Sequence, residues 1–368
     1  MIRATAHPRF STRKWFALVG ILAATAGALL VGVNRPFAAD SPERPAADRS
    51  LPVVALAGYN VSLFARGTAA WTGPDSIVAS GDHVYIDYQN VTAKDCTDHK
   101  MSTVVQYSNN GHVQRSWSIE GHSDGLRLDP ATHLLWATVC EDGNPALYTI
   151  NPSAKTGDIH KYRLAAPHGG GYDDIAFTAG KAFLAASNPT LNGAGANTFP
   201  AIVSVQLNAD LSTTLTPVLM GNAASHDLVN NVNVTLNEVD PDSMTIGPAG
   251  QLVLANQGGS ELVFVANPGA PGQSVTNAPV GTQLDDTVYA KTPSDRLFVV
   301  DGRQNATYIV RSHFVPGTVY TETPNDSGVP GLLGTVSLAT GRVNPVAIGF
   351  EKPTGLLFAP AAESGEDQ

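Results

Sequence analysis

The sequence lacks the short motifs that mark several common enzyme classes. It has no Gly-Lys-Ser or Gly-Lys-Thr loop, no His-Glu-x-x-His and no Cys-x-x-Cys-His. These absences exclude a phosphate-binding P-loop, a zincin site and covalent c-type haem. Charged residues make up only 15% of the 368 residues, whereas there are 35 glycines and 25 prolines. With few plausible helices, this composition predicts an all-β domain with many turns.

Basic residues are scarce as well. The chain has 22 lysines and arginines against 32 aspartates and glutamates, a formal net charge of −10. Residues 1–39 carry five of the basic residues and no acidic one, so the rest has 17 basic and 32 acidic residues and a net charge of −15. Such a surface repels nucleic acid and anionic lipid, and it suits cations or neutral ligands that are held together with a cation.

The N-terminal segment has the layout of a secretory signal. Four basic residues within the first 14 precede an uninterrupted run of 19 apolar or small residues, from Trp15 to Val33, and Ala39 ends the segment. We therefore predict a signal peptide over residues 1–39. The alternative is an uncleaved anchor at residues 15–33, since about 19 residues just span a bilayer. Either reading predicts a secreted or periplasmic domain, which contacts a membrane only through that segment if at all.

A short motif occurs six times and organises the rest of the chain. Each copy opens an apolar run, which passes a turn into a second apolar run. The motifs are Pro74-Asp75-Ser76-Ile77, Ser123-Asp124-Gly125-Leu126, Tyr172-Asp173-Asp174-Ile175, Pro241-Asp242-Ser243-Met244, Asp285-Asp286-Thr287-Val288 and Pro353-Thr354-Gly355-Leu356. Taking Asp286 as the key position of the fifth motif, the spacings are 49, 49, 69, 44 and 68 residues. Self-similarity near this period indicates a repeat architecture, and four antiparallel strands per repeat indicate a β-propeller.

The repeats predict an all-β, six-bladed propeller of four-stranded antiparallel blades over residues 51–360. The last repeat has only one strand, residues 354–359, before the chain ends, and residues 53–66 belong to no complete repeat. We expect these N- and C-terminal strands to close the last blade together, because an open propeller would leave exposed strand edges. Five or seven blades are the alternatives. Residues 40–50 are predicted to be a linker and residues 361–368 a disordered acidic tail.

The two cysteines occupy equivalent places in neighbouring repeats. Cys96 and Cys140 each lie in the turn after the second strand of a repeat. Because neighbouring blades bring these turns together, a Cys96–Cys140 disulfide is predicted. The alternative is two free thiols, which an oxidising compartment disfavours.

The repeated acidic positions should converge on the mouth of the central channel. Carboxylates that share a small opening repel each other, and protonation, hydrogen bonds or a cation must relieve them. Oxygen ligands suit calcium first, with magnesium or zinc as alternatives. The predicted ligands are Asp75, Asp173, Asp242, Asp286 and Asn256. The competing interpretation is that each aspartate only caps a turn by accepting backbone N–H bonds.

Histidines near these motifs are the candidates for proton transfer. His122 lies two residues before Asp124, and His168 begins a glycine-rich loop before Asp173. A histidine beside carboxylates can act as a general base near neutral pH. We therefore predict catalytic roles for His122, His168 and Asp124. The alternative is that these are solvated loop histidines.

The segment from Pro241 to Asn256, Pro-Asp-Ser-Met followed by Gly-Gln-Leu-Val-Leu-Ala-Asn, resembles the calcium-dependent six-bladed propellers of the senescence-marker-protein/gluconolactonase family. The chain is also similar to NHL-repeat propellers, because Leu297–Gly302 fits the second strand of their repeat unit. The resemblance implies a cation at the channel mouth, with Asp242 at the family's Pro-Asp-Gly-Met aspartate and Asp173 at its Pro-Asn-Gly asparagine. The family's early Glu-x-Pro-x-Trp motif is absent, and Asp75 lies in that region.

Two functional hypotheses follow. The first is a binding propeller that presents loops at 188–199, 221–240 and 311–330 to a small-molecule or protein ligand, because function tends to lie on loops over a rigid scaffold. The second is a metal-dependent lactone or ester hydrolase, in which a cation would polarise the carbonyl and lower the pKa of a water. A propeller lyase or oxidoreductase is a third class, although no cofactor motif accompanies it.

Overall fold

A computed structural model describes residues 52–325, 328 and 330–360. Within that part of the chain the structure is all-β, with 27 strands in six sheets that form the blades of a six-bladed β-propeller. The chain begins with the two strands β1 (Val54–Ala55) and β2 (Asn60–Arg66). The predicted fold class is therefore confirmed. The predicted signal or anchor, the linker and the acidic tail lie outside the described residues.

The first three blades follow the chain in order, from the inner strand to the outer one. Blade one contains β3 (Pro74–Ser80), β4 (His83–Tyr88), β5 (Met101–Ser108) and β6 (Val113–Glu120). Blade two contains β7 (Ser123–Leu128), β8 (Leu135–Val139), β9 (Ala146–Ile150) and β10 (Ile159–Arg163). Blade three contains β11 (Ile175–Thr178), β12 (Lys181–Ala185), β13 (Pro200–Leu207) and β14 (Thr213–Met220). All pairs within these blades are antiparallel.

Blade four carries an additional hairpin on its outer edge. The hairpin strands β15 (Ala224–Asp227) and β16 (Val232–Thr235) precede β17 (Pro241–Ile246), β18 (Leu252–Asn256), β19 (Glu261–Ala266) and β20 (Ser274–Pro279). Strand β15 pairs in parallel with β20, which makes a six-stranded sheet. The predicted insertion at 221–240 therefore extends and covers the edge of this blade.

In blades five and six, the order of strands along the chain differs from their order in the sheets. After β21 (Thr287–Tyr289), the chain forms β22 (Arg296–Asp301) and β23 (Ala306–Arg311), and then β24 (Val319–Thr323), β25 (Gly331–Ser337), β26 (Arg342–Phe350) and β27 (Pro353–Ala359). Strand β21 pairs with β24, whereas β22 pairs with β27. Residues 297–301 follow the fifth motif in the sequence but do not belong to blade five. They are the second strand of blade six.

The chain ends close the propeller as predicted. Strand β27 is the innermost strand of blade six and β2 is its outermost strand, paired with β23. Strand β1 adds two residues to the edge of blade five by pairing with β26. Both ends of the chain therefore contribute strands to the last two blades.

The hydrophobic core lies between neighbouring blades. Residues from adjacent sheets form shared clusters; for example, Tyr85 and Trp117 of blade one pack with Leu126 and Tyr148 of blade two. The second and third strands are almost continuously apolar, because both of their faces are covered by the next blades. Fully burying one such side chain contributes about 1.5–3 kcal/mol, so the contacts between blades dominate the stability of the ring.

Candidate functional site

The repeated motifs place a ring of acidic residues at the mouth of the channel. In blade one, the backbone N–H of Ser76 donates to Asp87 Oδ1 at 2.6 Å. In blade five, the N–H of Asp286 donates to Glu322 Oε1 at 3.0 Å in the same way. Asp286 therefore corresponds to Ser76, and Asp285 is the counterpart of Asp75. The ring consists of Asp75, Asp124, Asp173, Asp242 and Asp285, with Thr354 in blade six.

These ring carboxyls have unusual electrostatics. For each of the five, burial raises the pKa well above its usual range, and repulsion from neighbouring carboxylates raises it further. Glu141 is among the repelling groups for Asp75, Asp124, Asp173 and Asp242. Its carboxylate is therefore close to the axis of the ring. A divalent cation among these groups would stabilise their charged forms.

Three side chains of this region are near enough to hold one ion. One donor atom from each of His122, Asp124 and Glu141 lies within 4.8 Å of the others. His122 Nε2 is 3.4 Å from Asp124 Oδ1. Both His122 Nε2 and Asp124 Oδ2 are buried without a hydrogen-bond partner. Since buried polar atoms are nearly always paired, these two unpaired atoms make the group a candidate site for a bound species.

Local contacts fix the tautomer of His122. The hydroxyl of Thr92 donates to Gln89 O at 2.7 Å, so its oxygen is an acceptor toward the imidazole. His122 Nδ1 lies 2.9 Å from that oxygen and 3.0 Å from Thr92 O, and we place its proton there. Burial lowers the pKa of His122 to about 4. The ring is therefore neutral and directs the lone pair of Nε2 toward Asp124, the form in which a histidine binds a metal.

Glu141 is held as a carboxylate. Burial alone would raise its pKa, but Lys94, His122 and a hydrogen bond from Asp173 lower it to about 2. Lys94 Nζ lies 2.6 Å from Glu141 Oε1. Burial, and then repulsion from Asp242 and Glu141, raise the pKa of Asp173. A cation beside these two carboxyl groups would favour the charged form of both.

A disulfide joins the segments that carry this group. Cys96 and Cys140 are bonded, as predicted. Cys96 Sγ also accepts the backbone N–H of His122 at 3.2 Å, and Cys140 directly precedes Glu141. A Cβ on Gly121 would lie 2.7 Å and 2.9 Å from the two sulfur atoms, and the φ of this residue is +115°. Only glycine fits there, so the disulfide and Gly121 together set the positions of His122 and Glu141.

Arg127 closes the channel below the ring. Its Nη2 lies 2.5 Å from Asp174 Oδ2 and 3.6 Å from Asp286 Oδ1. Its Nη1 donates to Ser76 Oγ at 3.1 Å. One guanidinium of blade two thus connects blades one, three and five across the axis. The candidate ion site therefore lies above the ion pairs that Arg127 forms with Asp174 and Asp286.

The structure brings together some of the predicted site residues and separates others. His122, Asp124, Asp75, Asp173 and Asp242 all lie at the mouth. His168 is buried in its loop, with Nε2 donating to Gly171 O at 2.7 Å.

Two predicted metal ligands have their oxygen atoms engaged already. Asn256 Oδ1 accepts the N–H groups of Asp240 and Gly259, each at 3.2 Å. Asp286 Oδ2 accepts the N–H of Leu356 at 2.8 Å, and its Oδ1 faces Arg127. These two side chains stabilise the region below and beside the ring. Their predicted ligand role has no support from these contacts.

Sequence reasoning missed Glu141, Lys94, Arg127 and Glu322. Glu141 carried one available signal, because it follows a cysteine that was expected to approach the first blade. Arg127 was hidden within an inner strand that reads as an alternating apolar run. Glu322 was missed because its strand, β24, is separated from β21 by the hairpin β22–β23, which belongs to blade six.

Asp87 should make the stability of the metal-free protein depend on pH. Burial raises its pKa to about 7, against about 3.9 for an exposed aspartate. Its protonated form therefore stabilises the fold fully below pH 4, and this contribution is lost as the pH rises through 7. The stability of Asp87→Asn relative to the unaltered protein should rise by about 1 kcal/mol per pH unit between pH 5 and 7. Urea unfolding in EDTA measures this difference.

The control for this experiment is Asp158→Asn, which changes an exposed carboxylate near the outer strand of blade two. Its stability should follow that of the unaltered protein at every pH. Parallel curves for Asp87→Asn and the unaltered protein would show that Asp87 is ionised in the fold over this range.

Comparisons with known proteins support no family assignment. No protein-family model matches the sequence, and no curated protein matches it. Solved structures with a similar fold include a protein provisionally described as a 6-phosphogluconolactonase from Bacteroides fragilis, at 12% identity over 83% of this chain and 86% of that chain, TM-score 0.46. Another, provisionally described as a gluconolactonase, has 12% identity over 83% and 87%, TM-score 0.45.

A streptogramin B lyase structure is also similar, at 14% identity over 78% of this chain and 72% of that chain, TM-score 0.41. At these identities and TM-scores the likenesses carry no argument about activity. The propeller assignment rests on the strand pairing. In the part of the chain described here, no helix is long and apolar enough to cross a membrane.

Proposed function

We propose that this protein is a propeller that binds a divalent cation at the mouth of its channel and uses it to hold a small ligand. The observation that carries the proposal is the pair of buried, unpaired donor atoms, His122 Nε2 and Asp124 Oδ2, beside the Glu141 carboxylate. The surrounding aspartates supply further oxygen ligands and negative potential.

The donor set bears on the choice of metal. Calcium was expected from a site of oxygen ligands alone. An imidazole among the donors suits Zn²⁺ and other transition metals better than Ca²⁺. A site that combines His122 with two carboxylates therefore favours Zn²⁺ or Mn²⁺, while the oxygen-rich ring next to it suits Ca²⁺.

The ligand is proposed to bind on the mouth face, in an exported protein. The loop at 188–199 lies on this face, because Thr190 N donates to His168 O at 2.7 Å. Of the other two predicted loops, 221–240 lies at the edge of blade four, and 311–330 starts at the opposite end of the propeller. The Cys96–Cys140 disulfide supports an oxidising compartment. We therefore place the ligand over the ring, beside the loop at 188–199.

Thermal unfolding with and without metal tests the proposal. The protein is stripped with EDTA and then titrated with Zn²⁺, Mn²⁺, Ca²⁺ or Mg²⁺. A metal that binds only the folded state stabilises it by about 2.7 kcal/mol at 100 times its Kd, which is a clear rise in Tm. Glu141→Gln should abolish the rise because it removes one charged donor.

The matched control is Glu120→Gln, since Glu120 contacts Lys161 and His99 at the surface. Its response to metal should equal that of the unaltered protein. If no metal raises Tm, or if both variants lose the response equally, the carboxylates only stabilise turns and the proposal fails.

Hydrolysis of a lactone or ester is a second candidate function. The half-buried Asp173 favours it, because this carboxyl group, whose pKa is raised by burial and by neighbouring carboxylates, lies at the edge of the ion site. A group in that place can exchange a proton with a bound molecule. Aryl esters and lactones should be screened with the metal that raises Tm. An enzyme would lose turnover in Asp173→Asn and keep the metal response, whereas a binding protein would show no turnover at all.

A further inference from the structure

A second polar cleft lies on the opposite face of the propeller. It has a volume of about 300 Å³ and lies between blades one and six. The turn between β5 and β6 contributes Asn110, the start of β22 contributes Ser294 and Arg296, and the end of β23 contributes Arg311 and Ser312. The second strands begin at this face and end at the mouth, so the cleft is separate from the ion site.

Arg296 is fixed in place within this cleft. Arg296 is only 6% exposed. Nε donates to Pro360 O at 3.0 Å, and the two Nη atoms donate to Asn109 O and Oδ1 at 3.3 Å and 3.2 Å. The guanidinium carbon lies 5.2 Å from the centre of the Phe298 ring. Since a guanidinium has five N–H groups, these bonds leave one N–H on each Nη atom for a ligand.

Both arginines lack a carboxylate partner. Arg311 Nη1 donates to Ser62 Oγ at 2.9 Å, and within the described residues neither Arg296 nor Arg311 forms an ion pair. Burial and the charge of Arg311 lower the pKa of Arg296. Asp295 also lines the cleft, and its carboxylate accepts bonds from Thr292 Oγ1 at 2.6 Å and from Thr292 N at 2.8 Å. Within the described residues the two arginines therefore have no ion-pair partner, although the Asp295 carboxylate lines the same cleft.

We infer that this cleft binds an oxyanion, the carboxylate or phosphate group of a small ligand. A guanidinium presents paired N–H groups that match two oxygens of such a group. The hydroxyl of Ser294 can donate to a remaining oxygen, whereas the hydroxyl of Ser312 already donates to Gly58 O at 2.9 Å. The site is independent of the proposed cation, and an anion here relieves the repulsion between the two arginines.

Binding of simple oxyanions tests the inference. The full protein in EDTA is titrated with inorganic phosphate, acetate or succinate at constant ionic strength, with chloride as the balancing ion. We expect a saturable rise in Tm with at least one oxyanion, and Arg311→Gln should weaken the apparent affinity at least fivefold. Arg303→Gln is the matched control, because Arg303 is exposed in the turn at the other end of the same hairpin.

The arms of the experiment separate the possible ligands. Phosphate alone identifies a tetrahedral group, acetate or succinate alone identifies a carboxylate, and either result supports the site. No saturable effect from any of them overturns the inference, as does an equal loss in Arg311→Gln and Arg303→Gln. Glu141→Gln should keep the response to oxyanions. The oxyanion experiment therefore tests this cleft even if the proposed cation site proves wrong. Arg296→Lys retains the positive charge but loses the paired N–H groups of the guanidinium, and it should also weaken oxyanion binding.

Discussion

Replacing Arg127 with methionine should lower the free energy of unfolding by about 3–5 kcal/mol, because removing one partner of a buried ion pair leaves the other charge without compensation. Arg127 contacts Asp174 and Asp286, and its charge also lowers the pKa of Asp87. Methionine fills a similar volume without a charge. The loss therefore reports on the buried carboxylates far more than on packing.

The double variant Arg127→Met/Asp174→Asn separates charge from shape. It removes the nearest carboxylate together with its partner, and it should recover a substantial part of the lost stability. Lower pH should act in the same direction. Burial raises the pKa of Asp174 to about 6, and its protonation below that pH reduces the uncompensated charge left by Arg127→Met. Urea unfolding at pH 5 and pH 8 measures both effects.

Arg163→Met is the control for Arg127→Met, because it removes an exposed arginine from the outer strand of blade two. Its effect should remain within about 0.5 kcal/mol. If Arg127→Met were equally mild, the channel carboxylates would already be protonated or screened by water. The description of Arg127 as a central ionic contact would then be wrong.

The sequence predicted the blades for which local order and spatial order agree. In blades one to four, each motif is followed by strands that pair in sequence, so the periodic pattern is sufficient. Blades five and six differ because β22 and β23 leave the fifth blade and pair beside β27. The run from Leu297 to Val300 is continuously apolar, as a second strand buried on both faces is. Its pairing with β27 depends on contacts between residues that are distant in sequence, and the periodic pattern does not predict such contacts.

The candidate site shows the same division. The carboxylate ring was expected because the motif repeats, and His122 and Asp124 share one copy of it. The fifth motif has two adjacent aspartates, Asp285 and Asp286, and only the hydrogen bond to Glu322 establishes which one belongs to the ring. Glu141 lies outside the motif. Its place depends on how two neighbouring blades approach each other at the disulfide.

Replacing both cysteines with serine should destabilise the protein by about 4 kcal/mol, since chain-entropy models give this value for a closed loop of this length. The two cysteines are 44 residues apart, and their bond joins blades one and two. Unfolding of Cys96→Ser/Cys140→Ser in urea, compared with the oxidised protein, measures the loss.

The same substitution should weaken metal binding beyond its effect on stability. Cys96 Sγ accepts the N–H of His122, and the loop before Cys96 supplies Thr92 and Lys94 to His122 and Glu141. Without the bond, these segments lose their shared anchor, and we expect at least a tenfold rise in the metal Kd at a temperature where the variant is fully folded. Ser102→Ala is a useful comparison, because it removes the hydroxyl that bonds Gly121 O at 2.6 Å but retains the disulfide. If the double-cysteine variant binds metal as tightly as the oxidised protein, blade packing alone positions His122 and Glu141, and the disulfide only stabilises the fold.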